Sequence, residues 1–104
     1  MKPAPVNRLS VLVVDDSIIV RQALCALLAE DDCLSVVGEA ASVAEARQLF
    51  ELHRPGAVVL DLRLPDGSGL EVLRRVKQTK PSCLVIVLTS LRTLHPPDFR
   101  QTPT

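Results

Sequence analysis

Three carboxylates and one hydroxyl stand directly after short apolar runs of this 104-residue sequence: Asp15, Asp16, Asp61 and Thr89. Clustered carboxylates repel one another in a partly desolvated pocket, so such a set would need a cation. Oxygen ligands alone suit Mg²⁺ or Mn²⁺ rather than zinc. Because protein-bound Mg²⁺ usually completes its shell with water and phosphate oxygens, these residue types predict phosphoryl chemistry.

The placement of the four residues predicts different roles for them. Asp61 stands alone after its run and is the best candidate for a nucleophile that forms an aspartyl phosphate. Asp15 and Asp16 are adjacent and suit metal binding, whereas Thr89 is placed to donate to a phosphoryl oxygen. An aspartate at a strand end can also simply turn into solvent, so the assignment depends on whether these residues converge.

The elements that must bring them together alternate between strand and helix. The predicted strands are Leu9–Val14, Leu34–Ala40, residues 57–60 and Leu84–Leu88. Because most of these runs are apolar on both faces, they predict an α/β fold with a parallel sheet covered by helices. Right-handed crossovers then place the carboxyl ends of all strands at one edge of the sheet, so the four polar residues should converge there.

Three helices are predicted between the strands. Ser17 can cap the first helix, and Ser42 with Glu45 has the spacing of a capping box for the second. The predicted apolar faces are Val20, Leu24, Leu27 and Leu28 in the first helix, Val43, Ala46, Leu49 and Phe50 in the second, and Leu70, Leu73 and Val76 in the third. The third helix should end at Lys80, which then lies in a loop at the edge of the sheet opposite the acidic residues.

Composition excludes several classes of protein. Twelve basic residues balance twelve acidic ones, and no Lys/Arg run is longer than a pair, so neither nucleic acid nor a membrane surface is a predicted partner. No apolar segment has membrane-spanning length and the N-terminus is unlike a signal peptide, which predicts a cytoplasmic location. The odd number and wide spacing of Cys25, Cys33 and Cys83 predict reduced thiols.

Three segments together carry a resemblance to a known family: VLVVDDS, VVLDLRLPDGSGLEVL and VIVLTS. In this order and spacing they resemble the receiver domain of two-component response regulators, over residues 9–90. The resemblance implies a doubly wound, flavodoxin-like sheet with strand order 2-1-3-4. It also implies that Asp61 accepts a phosphoryl group from a histidine kinase or a small phosphodonor, and that a protein-binding surface then switches.

The same resemblance implies a ligand set for the metal. Asp16 and Asp61 would ligate Mg²⁺ directly, Asp15 would act mainly through water, and the carbonyl of Arg63 would be a further ligand. These roles are expectations carried over from the family.

Residues near the end of the family pattern have implied roles as well. Thr89 resembles a switch hydroxyl that closes toward the phosphoryl group, and Ser90 resembles the small neighbour that leaves access to it. The family fold then continues with a fourth helix, a fifth strand ending in a lysine, and a fifth helix. Residues 91–104 contain three prolines and no strand-like run. We therefore predict a receiver core over residues 1–91 and a proline-rich tail, with at most a short helix, over residues 92–104.

This departure from the family suggests two hypotheses. A missing lysine would remove a charge-assisted partner of the phosphoryl group, so phosphorylation should be slow or poorly transmitted. The apolar strand Leu84–Leu88 would form a sheet edge, which predicts self-association by strand addition or by exchange of elements between copies.

Two other functions compete with the phosphoacceptor reading. A pseudo-receiver would keep the fold as an interaction module without a phosphate switch, and Mg²⁺ binding would distinguish the two. An aspartyl-phosphate hydrolase is disfavoured because Arg63 stands two residues after Asp61, where an acid/base carboxylate would be needed. We therefore expect a signalling domain that is not an enzyme.

Overall fold

A computed structural model describes residues 7–88 of the chain. The strands are β1 (Leu9–Val14), β2 (Leu34–Ala40), β3 (Ala57–Asp61), β4 (Arg63–Leu64), β5 (Gly67–Ser68) and β6 (Leu84–Leu88), and the helices are α1 (Ile18–Ala29), α2 (Val43–His53) and α3 (Gly69–Thr79). The predictions for Thr89, for Ser90 and for the tail concern residues outside this described part.

The four long strands form one parallel sheet in the order β2-β1-β3-β6. Since β6 is the fourth of the predicted strands, both the predicted fold class and the predicted order are confirmed. β2 lies at an edge of this sheet, and its register shifts by one residue, because Val11 pairs with Val36 while Leu12 pairs with Gly38. All four strands run in the same direction, so the carboxyl ends of β1 and β3 lie side by side.

One face of the sheet packs against α2 and α3. The buried residues of this cluster are Leu12, Val14, Ala40, Val43, Ala46, Phe50, Val58, Leu60, Leu64, Val72, Val76 and Cys83. The face predicted for α2 is confirmed, because Val43, Ala46 and Phe50 are buried and Leu49 packs against them. Burial of this apolar surface is the main stabilising contribution to the fold.

The buried face of α3 differs from the prediction. Leu70 is 45% exposed, whereas Val72 and Val76 are buried and Leu73 is partly buried. Gly69 is buried too, so the inward positions follow the i, i+3, i+4, i+7 pattern from the first residue of the helix. The prediction was wrong at Leu70 because the predicted face did not include Gly69, the first buried residue of the helix.

The opposite face of the sheet packs, among the described residues, against α1 alone. Leu24, Cys25 and Leu28 contact a cluster formed by β1 and β3. The predicted stripe was partly wrong, because Val20 is 39% exposed and Leu27 is 64% exposed. α1 is apolar on most of its sides, so periodicity could not determine which side faces the sheet.

Lys80 lies at the end of the sheet remote from the acidic residues, as predicted. Its Nζ donates to the carbonyl of Arg54 at 2.9 Å and to that of Pro55 at 3.2 Å, just before β3 begins. The three cysteines are free thiols, as predicted. Within residues 7–88, no helix is both long and apolar enough to cross a membrane.

Candidate functional site

The carboxylates of Asp15, Asp16 and Asp61 meet at the carboxyl edge of the sheet. One oxygen from each of them lies within 4.8 Å of the other two. Asp15 is 4% exposed and Asp61 is 1% exposed, while Asp16 is half-buried. The structure therefore brings these three predicted residues together, as the alternation of strands and helices required.

Hydrogen bonds on both sides of Asp15 fix the end of β1. Its N–H donates to the carbonyl of Ala40 at 2.9 Å, which extends the pairing with β2 beyond the strand. Its Oδ1 accepts from the N–H of Ser17 at 2.8 Å. Ser17 is in turn the N-cap of α1, since its Oγ accepts from the N–H of Val20 at 3.3 Å. Asp16 is thus held in a short turn between a paired strand and a capped helix.

A guanidinium group that the sequence had not pointed to lies behind this turn. Nη1 of Arg21 donates to the carbonyl of Asp15 at 2.7 Å, and Nε donates to Oε1 of Glu39 at 3.3 Å. The guanidinium of Arg21 also affects the neighbouring thiol of Cys25. Burial and, to a smaller extent, the charge of Glu39 raise the pKa of this thiol, while the charge of Arg21 lowers it. The available signal in the sequence was Arg21 itself, a basic residue within the first turns of a mostly apolar helix.

The carboxylate of Asp61 is held by the backbone that follows it. The N–H of Arg63 donates to Oδ1 of Asp61 at 3.3 Å. The side chain of Arg63 is exposed, so the backbone of this residue rather than its charge lies next to the acidic cluster. A ligand role for the carbonyl of Arg63 stays a prediction.

The loop beyond Asp61 contains a small antiparallel hairpin, β4 with β5, which was not predicted. Asp66 lies in its turn and accepts from the N–H of Val43 at 2.7 Å and from the N–H of Ala44 at 3.0 Å. These hydrogen bonds hold the pKa of the Asp66 carboxyl below its ordinary value. The hairpin is thereby attached to the first turn of α2.

The capping box predicted for α2 is only half formed. The Oγ of Ser42 accepts from the N–H of Glu45 at 3.1 Å, but Oε1 of Glu45 accepts from the N–H of Ala41 at 2.7 Å. A complete capping box is formed instead by Ser68 and Glu71 at the start of α3. Both helices therefore begin at fixed positions beside the site.

α3 begins in contact with the backbone of Asp61. The N–H of Gly69 donates to the carbonyl of Leu62 at 2.8 Å. A Cβ atom on Gly69 would overlap the carbonyl oxygen of Asp61 and would lie 3.0 Å from Cα of Leu62. Only glycine allows this approach, so Gly69 sets the distance between α3 and the candidate nucleophile.

A family model of the response regulator receiver domain matches residues 11–96. The chain belongs to this family. Its acidic cluster, its parallel sheet and its strand order are those expected of a receiver.

Individual relatives agree with this assignment of the receiver. The DNA-binding transcriptional activator DevR/DosR of Mycobacterium tuberculosis is 48% identical over 80 residues, which cover 77% of this chain and 37% of the relative. Protein-glutamate methylesterase/protein-glutamine glutaminase 2 of Cereibacter sphaeroides is 41% identical over 87 residues, covering 84% of this chain and 24% of the relative.

A solved structure shows the same likeness. The crystal structure of a LuxR-family two-component response regulator from an Aurantimonas species has a TM-score of 0.73 and 32% identity, and the match covers 80% of this chain and 59% of that chain. The receiver described here therefore spans less than two thirds of each of these three proteins.

Proposed function

We propose that this receiver accepts a phosphoryl group on Asp61, with Mg²⁺ held by Asp15, Asp16, Asp61 and the carbonyl of Arg63. The observation that carries the proposal is the meeting of three carboxylate oxygens within 4.8 Å, two of them on nearly fully buried residues. Like charges this close in a poorly solvated pocket repel strongly. An all-oxygen donor set of this charge fits Mg²⁺, with Mn²⁺ as an alternative, and does not suit zinc.

The chemistry follows from the position of Asp61 at the carboxyl end of β3, an inner strand of the sheet. When bound, Mg²⁺ would offset the charge of the carboxylates and of the incoming phosphoryl oxygens. An oxygen of the Asp61 carboxylate attacks phosphorus, and the new O–P bond forms as the bond to the leaving atom of the donor breaks. The donor is a phosphohistidine of a histidine kinase or a small phosphodonor, and its leaving group takes up a proton from water. Thr89 is proposed to donate to an oxygen of the transferred group, and Ser90 is proposed to leave access to that group.

This function is one of signalling rather than catalysis. The receiver itself takes the phosphoryl group, and an acid/base carboxylate for turnover of a separate substrate is missing at position 63, where Arg63 stands with its side chain exposed. We propose that a cytoplasmic kinase or phosphodonor is the source and that a protein partner reads the result.

The test of this proposal is phosphorylation of the wild-type chain by a small phosphodonor, followed by intact-protein mass spectrometry. We expect labelling in the presence of Mg²⁺, with at most one phosphoryl group per chain, and no labelling after EDTA treatment. If Mg²⁺ neither binds nor changes the labelling, the chain would instead be a pseudo-receiver.

A substitution within the cluster should separate its metal affinity from its stability. Because Asp16→Asn removes one of three repelling charges, we expect the metal-free protein to gain about 1 kcal/mol in free energy of unfolding. The same change removes a charged ligand, so the Mg²⁺ dissociation constant should rise about tenfold or more. Urea denaturation in EDTA and calorimetric Mg²⁺ titration measure the two effects.

The matched control for this substitution is Asp32→Asn, which removes a carboxylate from an exposed position between α1 and β2. It should leave both the free energy of unfolding and the Mg²⁺ affinity close to those of the wild-type protein. Equal Mg²⁺ affinity in the Asp16→Asn variant and the wild type would argue against the proposed site.

We also propose that β6 pairs with β6 of a second copy of this chain. Within residues 7–88, β6 has a strand neighbour, β3, on one side only. Leu84 is 54% exposed, Ile86 is 46% exposed and Val87 is 40% exposed. The run LVIVL holds no charge or proline to block edge pairing, and two identical edges related by a twofold axis are self-complementary.

Light scattering after gel filtration should therefore give a mass above that of one chain at tens of micromolar protein. Ile86→Lys places a charge on the pairing edge and should shift the population toward the monomer. Leu52→Lys is the control, because Leu52 is 72% exposed on α2, away from this edge. A wild-type mass equal to one chain would refute the pairing.

A further inference from the structure

We infer that Arg21 is a positioning residue for the metal-binding pair Asp15 and Asp16. This inference rests on the function proposed above, because it concerns how the same acidic cluster is held. Arg21 is not itself part of the cluster. It contacts the backbone that carries two of its carboxylates, and it anchors that backbone to the neighbouring strand β2.

Arg21 contacts the backbone at the peptide unit between the two aspartates. The carbonyl of Asp15, which accepts from Nη1 of Arg21 at 2.7 Å, belongs to the peptide unit that joins Asp15 to Asp16. Holding this carbonyl holds the plane of that peptide, and so restricts the directions in which the two flanking side chains leave the main chain. The separation of the two carboxylates then depends on a hydrogen bond from a charged donor.

The other end of Arg21 is anchored across the sheet. Its Nε donates to Oε1 of Glu39 at 3.3 Å, and the side chain of Arg21 is 16% exposed while that of Glu39 is 47% exposed. Asp15 is joined to the same strand by its N–H bond to Ala40 at 2.9 Å. The guanidinium and the backbone thus connect the end of β1 to β2 by two parallel routes.

The chemistry of arginine suits this task better than that of lysine. Nε and Nη1 are held in one plane, so a single guanidinium can donate to a carbonyl and to a carboxylate in fixed relative directions. A lysine ammonium has one nitrogen at the end of a flexible chain and cannot hold both partners in the same way. A positive charge behind the turn also opposes the repulsion among the carboxylates when the metal is absent.

The inference predicts a selective loss of metal affinity. Groups that orient metal ligands typically change affinity by about 10- to 100-fold when removed, so Arg21→Met should raise the Mg²⁺ dissociation constant by that factor. The Mg²⁺ dissociation constant of Arg21→Lys should lie between those of the wild type and Arg21→Met. Asp32→Asn, at the exposed position between α1 and β2, is the control, and its Mg²⁺ dissociation constant should stay within about twofold of the wild-type value.

The experiment is a calorimetric Mg²⁺ titration of the full chain, with thermal unfolding in EDTA and the amide NMR resonances of Asp16 and Ser17 as independent readouts. If Arg21 positions the pair, its substitution should shift the amide resonances of Asp16 and Ser17 and weaken Mg²⁺ binding. If Arg21 only stabilises the fold, its substitution would lower the unfolding temperature in EDTA and leave the Mg²⁺ dissociation constant unchanged. That result would overturn the inference. If Arg21→Met does not fold, Arg21→Lys decides by the same criterion.

The titration distinguishes a failure of the proposed function from a failure of the role inferred for Arg21. A wild-type chain that does not bind Mg²⁺ would overturn the proposed function and this inference together. Wild-type binding accompanied by unchanged affinity in both Arg21 variants would overturn the role of Arg21 alone.

Discussion

Asp61→Asn is expected to eliminate phosphodonor labelling of the receiver. An amide lacks the charged oxygen nucleophile, and Asp61 alone of the three clustered carboxylates lies at the end of β3, whereas Asp15 and Asp16 follow β1. The loss should not reflect unfolding, because replacing a 1% exposed carboxylate within a repelling cluster by a neutral isostere favours the metal-free fold. Mass spectrometry after incubation with Mg²⁺ and a small phosphodonor measures the result.

A carboxylate of the same loop provides the matched control. Asp66 accepts from the N–H of Val43 through Oδ1 and from the N–H of Ala44 through Oδ2. Asparagine keeps only one of these acceptor oxygens, so Asp66→Asn should lower the free energy of unfolding but leave the protein folded and labelled. Labelling of the Asp61→Asn protein at the wild-type level would show that another residue is the phosphoacceptor.

Gly69→Ala should lower the free energy of unfolding by about 3 kcal/mol. The added Cβ would overlap the carbonyl oxygen of Asp61 and would lie 3.0 Å from Cα of Leu62, so the start of α3 or the end of β3 must shift. Both opposing atoms belong to the backbone and cannot move aside by a rotamer change. Since the shift displaces Asp61, the rate of labelling should fall as well. Urea denaturation measures the first effect.

The control for this substitution is Gly38, whose neighbouring atoms belong to side chains rather than to the backbone. A Cβ on Gly38 would lie 3.3 Å from a methyl carbon of Leu12 and 3.5 Å from one of Leu49. The opposing atoms are side-chain methyl groups rather than backbone, so Gly38→Ala should cost less than Gly69→Ala, about 1 kcal/mol. An equal free energy of unfolding for Gly69→Ala and the wild type would contradict the proposed close packing of α3 against the site.

The strands of this receiver were predictable because their signals are local. Short apolar runs such as LSVLVV and LVIVL favour strands, and the structure places β1 and β6 on those residues. The direction of parallel strands then brings Asp15 and Asp61 together without any further information.

The orientation of the helices was less predictable, for physical reasons that differ between them. α1 is apolar on most sides, so several stripes fit its sequence, and the residues facing the sheet are set by contacts with β1 and β3. In α3, the inward face is determined by the approach of Gly69 to Asp61. A glycine beside a loop gives no sign in the sequence that it is the first buried residue of a helix.

The contacts that support the site were missed because they join distant parts of the chain. Arg21 reaches Glu39 across 18 positions, and Asp66 reaches Val43 across 23 positions. Each of these side chains would be equally compatible with an exposed surface if judged from its neighbours in sequence. Such contacts are defined only once the sheet order has brought the elements together.

Binding of beryllofluoride, a phosphoryl mimic, tests the central claim most directly. Fluorine NMR of the wild-type chain with Mg²⁺ should show a bound beryllofluoride signal that disappears on addition of EDTA and is absent from the Asp61→Asn protein. A wild-type chain saturated with Mg²⁺ that gives no bound signal, or an Asp61→Asn variant that gives the same signal as the wild type, would contradict the assignment of Asp61 as the phosphoacceptor.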